Sequence, residues 1–212
     1  MTEHERMRDH WWWRPGWRVG RSFYTWHFTF AADPAAARLV ADYAPLVRAL
    51  PMLDPVPVRW LHLTTQGVGF TDEVARGDLD RIVEAARERC ARLSPFTITL
   101  GPAYVDAETI QLPASPAQPL TEVRRSLRDA IAAVWGADKV PESADGFRAH
   151  VTLAYSNSAG PREPIAKALA DHGDHTAAVT IAAVSLIDLN RDRRAYEWAE
   201  VASVALGDDP AS

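Results

Sequence analysis

The chain has 212 residues, 47% of them hydrophobic and 24% charged, enough apolar content for one globular unit or two closely joined lobes and too much for disorder. Lys plus Arg total 23 against 28 for Asp plus Glu, and the formal charge of -5 offers no global positive field for long duplex nucleic acid, though it allows a local phosphate site. A single cysteine excludes an internal disulfide, the Met1–Glu5 start lacks the layout of a secretion signal, and no uncharged apolar run reaches the ~20 residues that cross a bilayer. The expectation is a protein of the reducing cytoplasm with no membrane partner.

Residues 1–20 read as a separate arm, since Trp11, Trp12, Trp13 and Trp17 lie among Arg8, Arg14, Pro15 and Arg18 with neither helical nor strand period. Four indoles in water would aggregate, so the arm is expected to pack over the body; a stacking platform for a base, or a partner surface, is the alternative. Residues 21–212 read as one domain. It opens with a strand from Phe23 to Phe30, apolar Tyr24, Trp26, Phe28 and Phe30 on one face and Thr25, His27 and Thr29 on the other. Asp33-Pro34 starts a helix carrying Leu39, Val40, Tyr43, Val47 and Leu50, with Pro45 a kink or break and Pro51 a stop.

A second strand is expected from Val58 to Thr65 and a helix from Asp78 to Leu93, whose apolar stripe includes Cys90 as a buried, inert thiol. Two strand-like runs, Phe96–Val105 and Glu108–Leu112, form an antiparallel pair; a helix through Leu120, Val123, Leu127, Ile131 and Trp135 stops at Gly136. A polar loop at 137–146 leads to a strand from Phe147 to Tyr155 and a helix from Glu163 to His172. The chain closes on strands Ala177–Leu189 and Tyr196–Leu206 joined by the Asn190–Arg193 turn. Helices mixed with hairpin-linked strands, and no glycine-rich strand-to-helix turn, define an α+β fold.

The tripeptide His-x-Thr occurs three times, at His27-Phe28-Thr29, His62-Leu63-Thr64 and His150-Val151-Thr152. On a strand, residues two apart share a face, so His62 joins Thr64, and Arg148 joins His150 and Thr152. Two imidazoles can serve as base and acid near neutrality, and each hydroxyl can donate to a phosphate oxygen without adding charge. That set suits metal-free cleavage of a phosphodiester. The bland reading makes them ordinary strand residues whose histidines are satisfied by hydrogen bonds.

The two motifs, followed by Gln66-Gly67-Val68-Gly69-Phe70 and by Leu153-Ala154-Tyr155, make the chain similar to the two-histidine (2H) phosphoesterase superfamily, in its branch of 2′-5′ RNA ligase-like proteins and RNA 2′,3′-cyclic phosphodiesterases. The resemblance runs from Phe23 to Leu206 and leaves out the arm. It implies a two-lobed, pseudo-symmetric α+β fold with antiparallel sheets flanked by helices around a cleft. It also implies catalytic His62, Thr64, His150 and Thr152, no metal or other cofactor, and a cyclic nucleotide or RNA 3′ end as partner. In that scheme His150 activates water and His62 protonates the leaving 3′ oxygen, giving a 2′-phosphate; run backwards, the same groups make a 2′-5′ linkage.

Arg148, Tyr155 and Phe70 are the candidate substrate-binding residues. Many relatives carry Arg where Tyr155 stands, and strict alternation points Tyr155 away from His150, toward the core. His27 is read as a strand residue near the cleft, with a catalytic role the lesser alternative. Asp171-His172-Gly173-Asp174-His175 reads as a helix end and turn rather than a metal cluster, and Arg191, Arg193 and Arg194 as a solvated hairpin tip. A module on the same fold that binds a nucleotide or RNA end without turnover is the competing function, and an esterase for another cyclic phosphate a third.

Overall fold

The alternating strands pair into two antiparallel sheets that face each other across a cleft. The computed structural model describes residues 6–207; the Met1–Glu5 start read above lies outside them. The strands are β1 (Arg6–Met7), β2 (Phe23–Thr29), β3 (Leu53–Pro55), β4 (His62–Phe70), β5 (Phe96–Leu100), β6 (Tyr104–Val105), β7 (Thr109–Ser115), β8 (His150–Ser156), β9 (Gly160–Pro161), β10 (Ala177–Ile181), β11 (Ala183–Asn190) and β12 (Glu197–Ala205). The helices are α1 (Pro34–Arg48), α2 (Arg76–Cys90), α3 (Ala117–Trp135) and α4 (Glu163–His172). One sheet has the order β12-β11-β2-β4; the other runs β10-β5-β7-β8-β3, with β6 also on β7.

Helices cover the outer faces. Asp33 caps α1 by accepting from the Ala35 and Ala36 amides at 2.8 and 2.9 Å, and the helix continues through Pro45 to Arg48. α1 lies on β10 and β3, α2 on β12, and α3 on both α2 and β4. The stripe Leu79, Ile82, Val83, Ala86 and Cys90 of α2 is buried, as are Leu61, Leu63, Trp26 and Phe28 of the first sheet and Val151 and Leu153 of the second. Each large apolar side chain so removed from water contributes about 1.5–3 kcal/mol. Burial raises the Cys90 thiol to about 11, leaving it protonated and unreactive.

Several boundaries differ from the sequence reading, each for a tertiary reason. Residues 58–60 form a 3-10 turn, and the second strand starts at His62 and runs on to Phe70. The Phe96–Val105 run breaks at Gly101, whose φ of +92° and closeness to the His175 carbonyl, 2.6 Å from where a Cβ would sit, require glycine. The Ala177–Leu189 run is two strands, because the chain crosses from one sheet to the other at Ala182. On β2 the polar face is buried too, Thr25 and His27 with Trp26 and Phe28, since it forms the cleft floor. Among the described residues no helix is long and apolar enough to cross a membrane.

The arm does not stand alone. β1 pairs with β9, Met7 is fully buried, and Glu108 accepts from His10 Nδ1 (3.1 Å), Arg14 (3.0 Å) and Trp12 Nε1 (3.3 Å). Arg191 is buried, not solvated as its sequence context predicts. Its guanidinium sits within 6.0 Å of the Trp11, Trp13, Trp17 and Tyr196 rings and donates to the His10 and Trp12 carbonyls at 3.2 Å. Arg193 pairs with Glu197 and Arg194 with Asp9 at the surface. His172 ends α4, and its Nε2–H donates to the Asp42 carbonyl at 2.8 Å.

Candidate active site

β4 of one sheet and β8 of the other approach each other, and each begins with a histidine. His62, Thr64, His150 and Thr152 line one cavity of about 580 Å³, so residues 88 positions apart in sequence share a single chamber. The two imidazoles are held alike. His62 Nδ1–H donates to the Trp60 carbonyl at 2.7 Å and His150 Nδ1–H to the Arg148 carbonyl at 2.8 Å, in both cases two residues back along the chain. This fixes the tautomer and leaves each Nε2 as the free nitrogen. Among the described residues neither Nε2 has a hydrogen-bond partner.

Their surroundings differ. His62 is 8% exposed, stacked face to face on His27 and edge-on to Trp198 at 5.2 Å between ring centroids. Its pKa is lowered to about 4, chiefly by desolvation, with the bond to Trp60 opposing the fall and the nearby His150 adding to it. It is therefore neutral at pH 7. His150 is only partly covered.

Tyr155 lines the same cavity, contrary to strict alternation. The reason is a β-bulge. Thr109 pairs with Tyr155, Ile110 with Ala154 and Gln111 with Thr152, so Leu153 is an extra residue that returns Tyr155 to the face of His150 and Thr152. The Tyr155 ring stacks on His10 at 4.3 Å, and burial raises its hydroxyl pKa, keeping it a neutral donor. β4 has two such shifts, at Thr65 and Val68, which put His62, Thr64, Gly67 and Phe70 opposite Thr29, His27, Thr25 and Phe23.

Arg148 and Phe70 are not among the cavity walls. β8 starts at His150, so the alternation does not reach back to Arg148; its carbonyl holds His150 while its side chain is exposed. The Phe70 ring is covered by Trp17 and by the Arg21 guanidinium 3.6 Å away.

The remaining walls came with no sequence signal of position. Arg8, His10, Arg14 and Trp17 enter from the arm, Asp106, Glu108, Thr109 and Gln111 from the β6–β7 region, and Tyr196 from the turn just before β12. Glu142 leans over Gly67, where a Cβ would come within 2.6 Å of its carboxylate. Its loop is pinned by buried Arg124, which donates to the Thr65, Ala144 and Ser143 carbonyls at 2.7–3.0 Å. Burial and the Arg14 and Arg191 charges lower the His10 pKa to about 3, so His10 is a neutral part of the wall. The cavity thus mixes two arginines with three carboxylates.

A fold of facing antiparallel sheets, with one His-x-Thr strand from each lobe at a common chamber, defines the class of two-histidine phosphoesterases. The model of the 2′-5′ RNA ligase superfamily matches residues 31–193, and the chain belongs to that family. TT0787 of Thermus thermophilus superposes with a TM-score of 0.67 at 20% identity, over 89% of this chain and all of that one. Escherichia coli LigT in its apo form gives 0.62 at 17% identity, over 89% and 99%. LigT is also solved in complex with 3′-AMP, with a TM-score of 0.63 at 18% identity over 89% and 99%. No curated protein matches. The arm lies outside the family match.

Proposed function

We propose that this protein is a metal-independent phosphodiesterase that opens a 2′,3′-cyclic phosphate, at an RNA end or on a small nucleotide, to a 2′-phosphate. The observation that carries the reading is the pair of imidazoles, each with Nδ1–H tied to its own backbone and Nε2 free at one chamber beside a threonine hydroxyl. One Nε2 takes a proton from water as its oxygen bonds to phosphorus. The P–O3′ bond breaks, and the 3′ oxygen takes a proton from the other Nε2–H. Thr64 and Thr152 donate to the non-bridging oxygens. With the 5′ hydroxyl of a second strand in the place of water, the same steps break P–O3′ and leave a 2′-5′ linkage.

Burial favours a division of roles opposite to the one the resemblance implies. Held neutral, His62 suits the base, and the less buried His150 the acid. The chamber volume suits a nucleotide, and its mixed charge favours one phosphate group over a polyanion. That LigT is solved with 3′-AMP, NADP+ and ATP agrees with a nucleotide ligand.

The test is turnover of the four 2′,3′-cyclic nucleotides in the presence of EDTA. His62→Ala and His150→Ala should each lose at least ~10²-fold in kcat. Retained turnover in either variant removes that histidine from the mechanism; loss in chelator restored by a divalent ion replaces it with a metal one. Binding without hydrolysis by the wild type would make the protein a recognition module.

A further inference from the structure

The third His-x-Thr motif, His27-Phe28-Thr29, is idle in the chemistry above, yet its histidine lies against the reacting groups. β2 pairs with β4 so that His27 is opposite Thr64 and Thr29 opposite His62. The His27 and His62 rings are parallel to within 3° at 4.4 Å between centroids. His27 Nε2 lies 3.2 Å from Thr64 Oγ1, and its Nδ1 is buried with no hydrogen-bond partner. The residue lines the chamber floor but is only 1% exposed, so it offers substrate almost no surface of its own.

These contacts choose among three forms of the ring. The cation is disfavoured, because it would be buried, with another imidazole parallel to it and no carboxylate bonded to it. The Nδ1–H tautomer would bury an N–H with no acceptor, which folded proteins avoid more strictly than a bare lone pair. The Nε2–H tautomer leaves only a lone pair unmet and gives its proton to Thr64 Oγ1. A hydroxyl that accepts this bond must place its own proton elsewhere, and Thr64 is exposed to the chamber.

We propose that His27 is a positioning residue. Its Nε2–H donates to Thr64 Oγ1 and thereby turns the Thr64 hydroxyl proton toward a phosphate oxygen, while its flat ring backs His62 and holds that imidazole square to the chamber. The inference rests on the phosphodiesterase reading only for its effect on rate. The hydrogen bond itself is a property of the resting protein.

The experiment has two arms. The imidazole 15N spectrum of the full chain reads the tautomer without any turnover: Nε2–H on His27 is expected, and Nδ1–H overturns the proposal. Kinetics on a cyclic nucleotide read the effect. His27→Phe keeps a flat ring without the donor and should lower kcat about 10- to 100-fold with KM nearly unchanged. His27→Gln, which returns an N–H near the same place, should recover most of that loss. If His27 acts through Thr64, adding His27→Phe to Thr64→Val costs little more than Thr64→Val alone, whereas two merely structural losses multiply. Multiplying losses, or full kcat in His27→Phe, overturn the proposal. Should His27→Phe not fold, the spectrum and His27→Gln decide it. A wild type that hydrolyses no cyclic phosphate would remove the phosphodiesterase reading and leave the tautomer to judge this one.

Discussion

Opening the aromatic cover over His62 should shift the pH dependence of catalysis without touching either catalytic ring. His62 is stacked on His27, edge-on to Trp198, and near Tyr196 at 6.1 Å between centroids. Desolvation by these walls is the main reason its pKa falls from 6.5 to about 4. The base form then still predominates at pH 5, and the acid limb of kcat/KM, which reports the free enzyme, should bend near 4. Trp198→Ala admits water on one side and should move that limb toward 6.5. At pH 5 a group of pKa 4 is about 90% neutral and one of pKa 6.5 about 3%, so full rehydration predicts a loss near 30-fold at pH 5 with little change at pH 8. The assay is kcat/KM on a cyclic nucleotide from pH 4 to 9, with circular dichroism to confirm folding. A wild-type acid limb at 6.5, or a limb unmoved by Trp198→Ala, refutes the argument that burial sets this group.

Three further predictions follow from the same geometry. If His150 supplies the proton to the leaving oxygen, His150→Ala should recover on an aryl phosphodiester whose leaving group needs no proton while His62→Ala should not; recovery in His62→Ala instead would restore the roles implied by the family. Burial lowers the pKa of His10, His27 and His62 below 6.5, so the unfolded chain binds protons that the folded one refuses. Their contribution to stability is complete above pH 6.5 and is lost as pH falls below it; urea midpoints at pH 7, 6 and 5 should fall accordingly, and His10→Gln should lessen the slope. Arg191→Ala removes two carbonyl bonds made by a buried cation, a loss of about 2–4 kcal/mol confined to the arm. Red-shifted tryptophan emission and faster proteolysis before residue 20, with the sheets intact, are expected; unchanged emission would show that the arm is held by its other contacts.

The pairing of His62 with Thr64 and of His150 with Thr152 on one face of two strands was legible because a period of two and a repeated tripeptide are local properties. Tyr155 was not, because the bulge at Leu153 is a decision of pairing with β7 and leaves no mark in the residues around it. Arg148 lies outside the alternation for a related reason: a shared face exists only where a strand does, and β8 begins two residues later.

The linear order of residues by itself determined the α+β class, the capped α1, the apolar stripe of α2 and the chemistry available to the two motifs, all of which depend on neighbours a few positions away. Only the folded chain decided that β2 would be covered on both faces, that His27 would lie flat on His62, and that the tryptophan arm would bring His10, Arg14 and Trp17 to the chamber. Those outcomes depend on which surfaces meet across the sheets. A buried ring's charge state depends in turn on the water that such meetings expel, and residue identity alone carries no record of it.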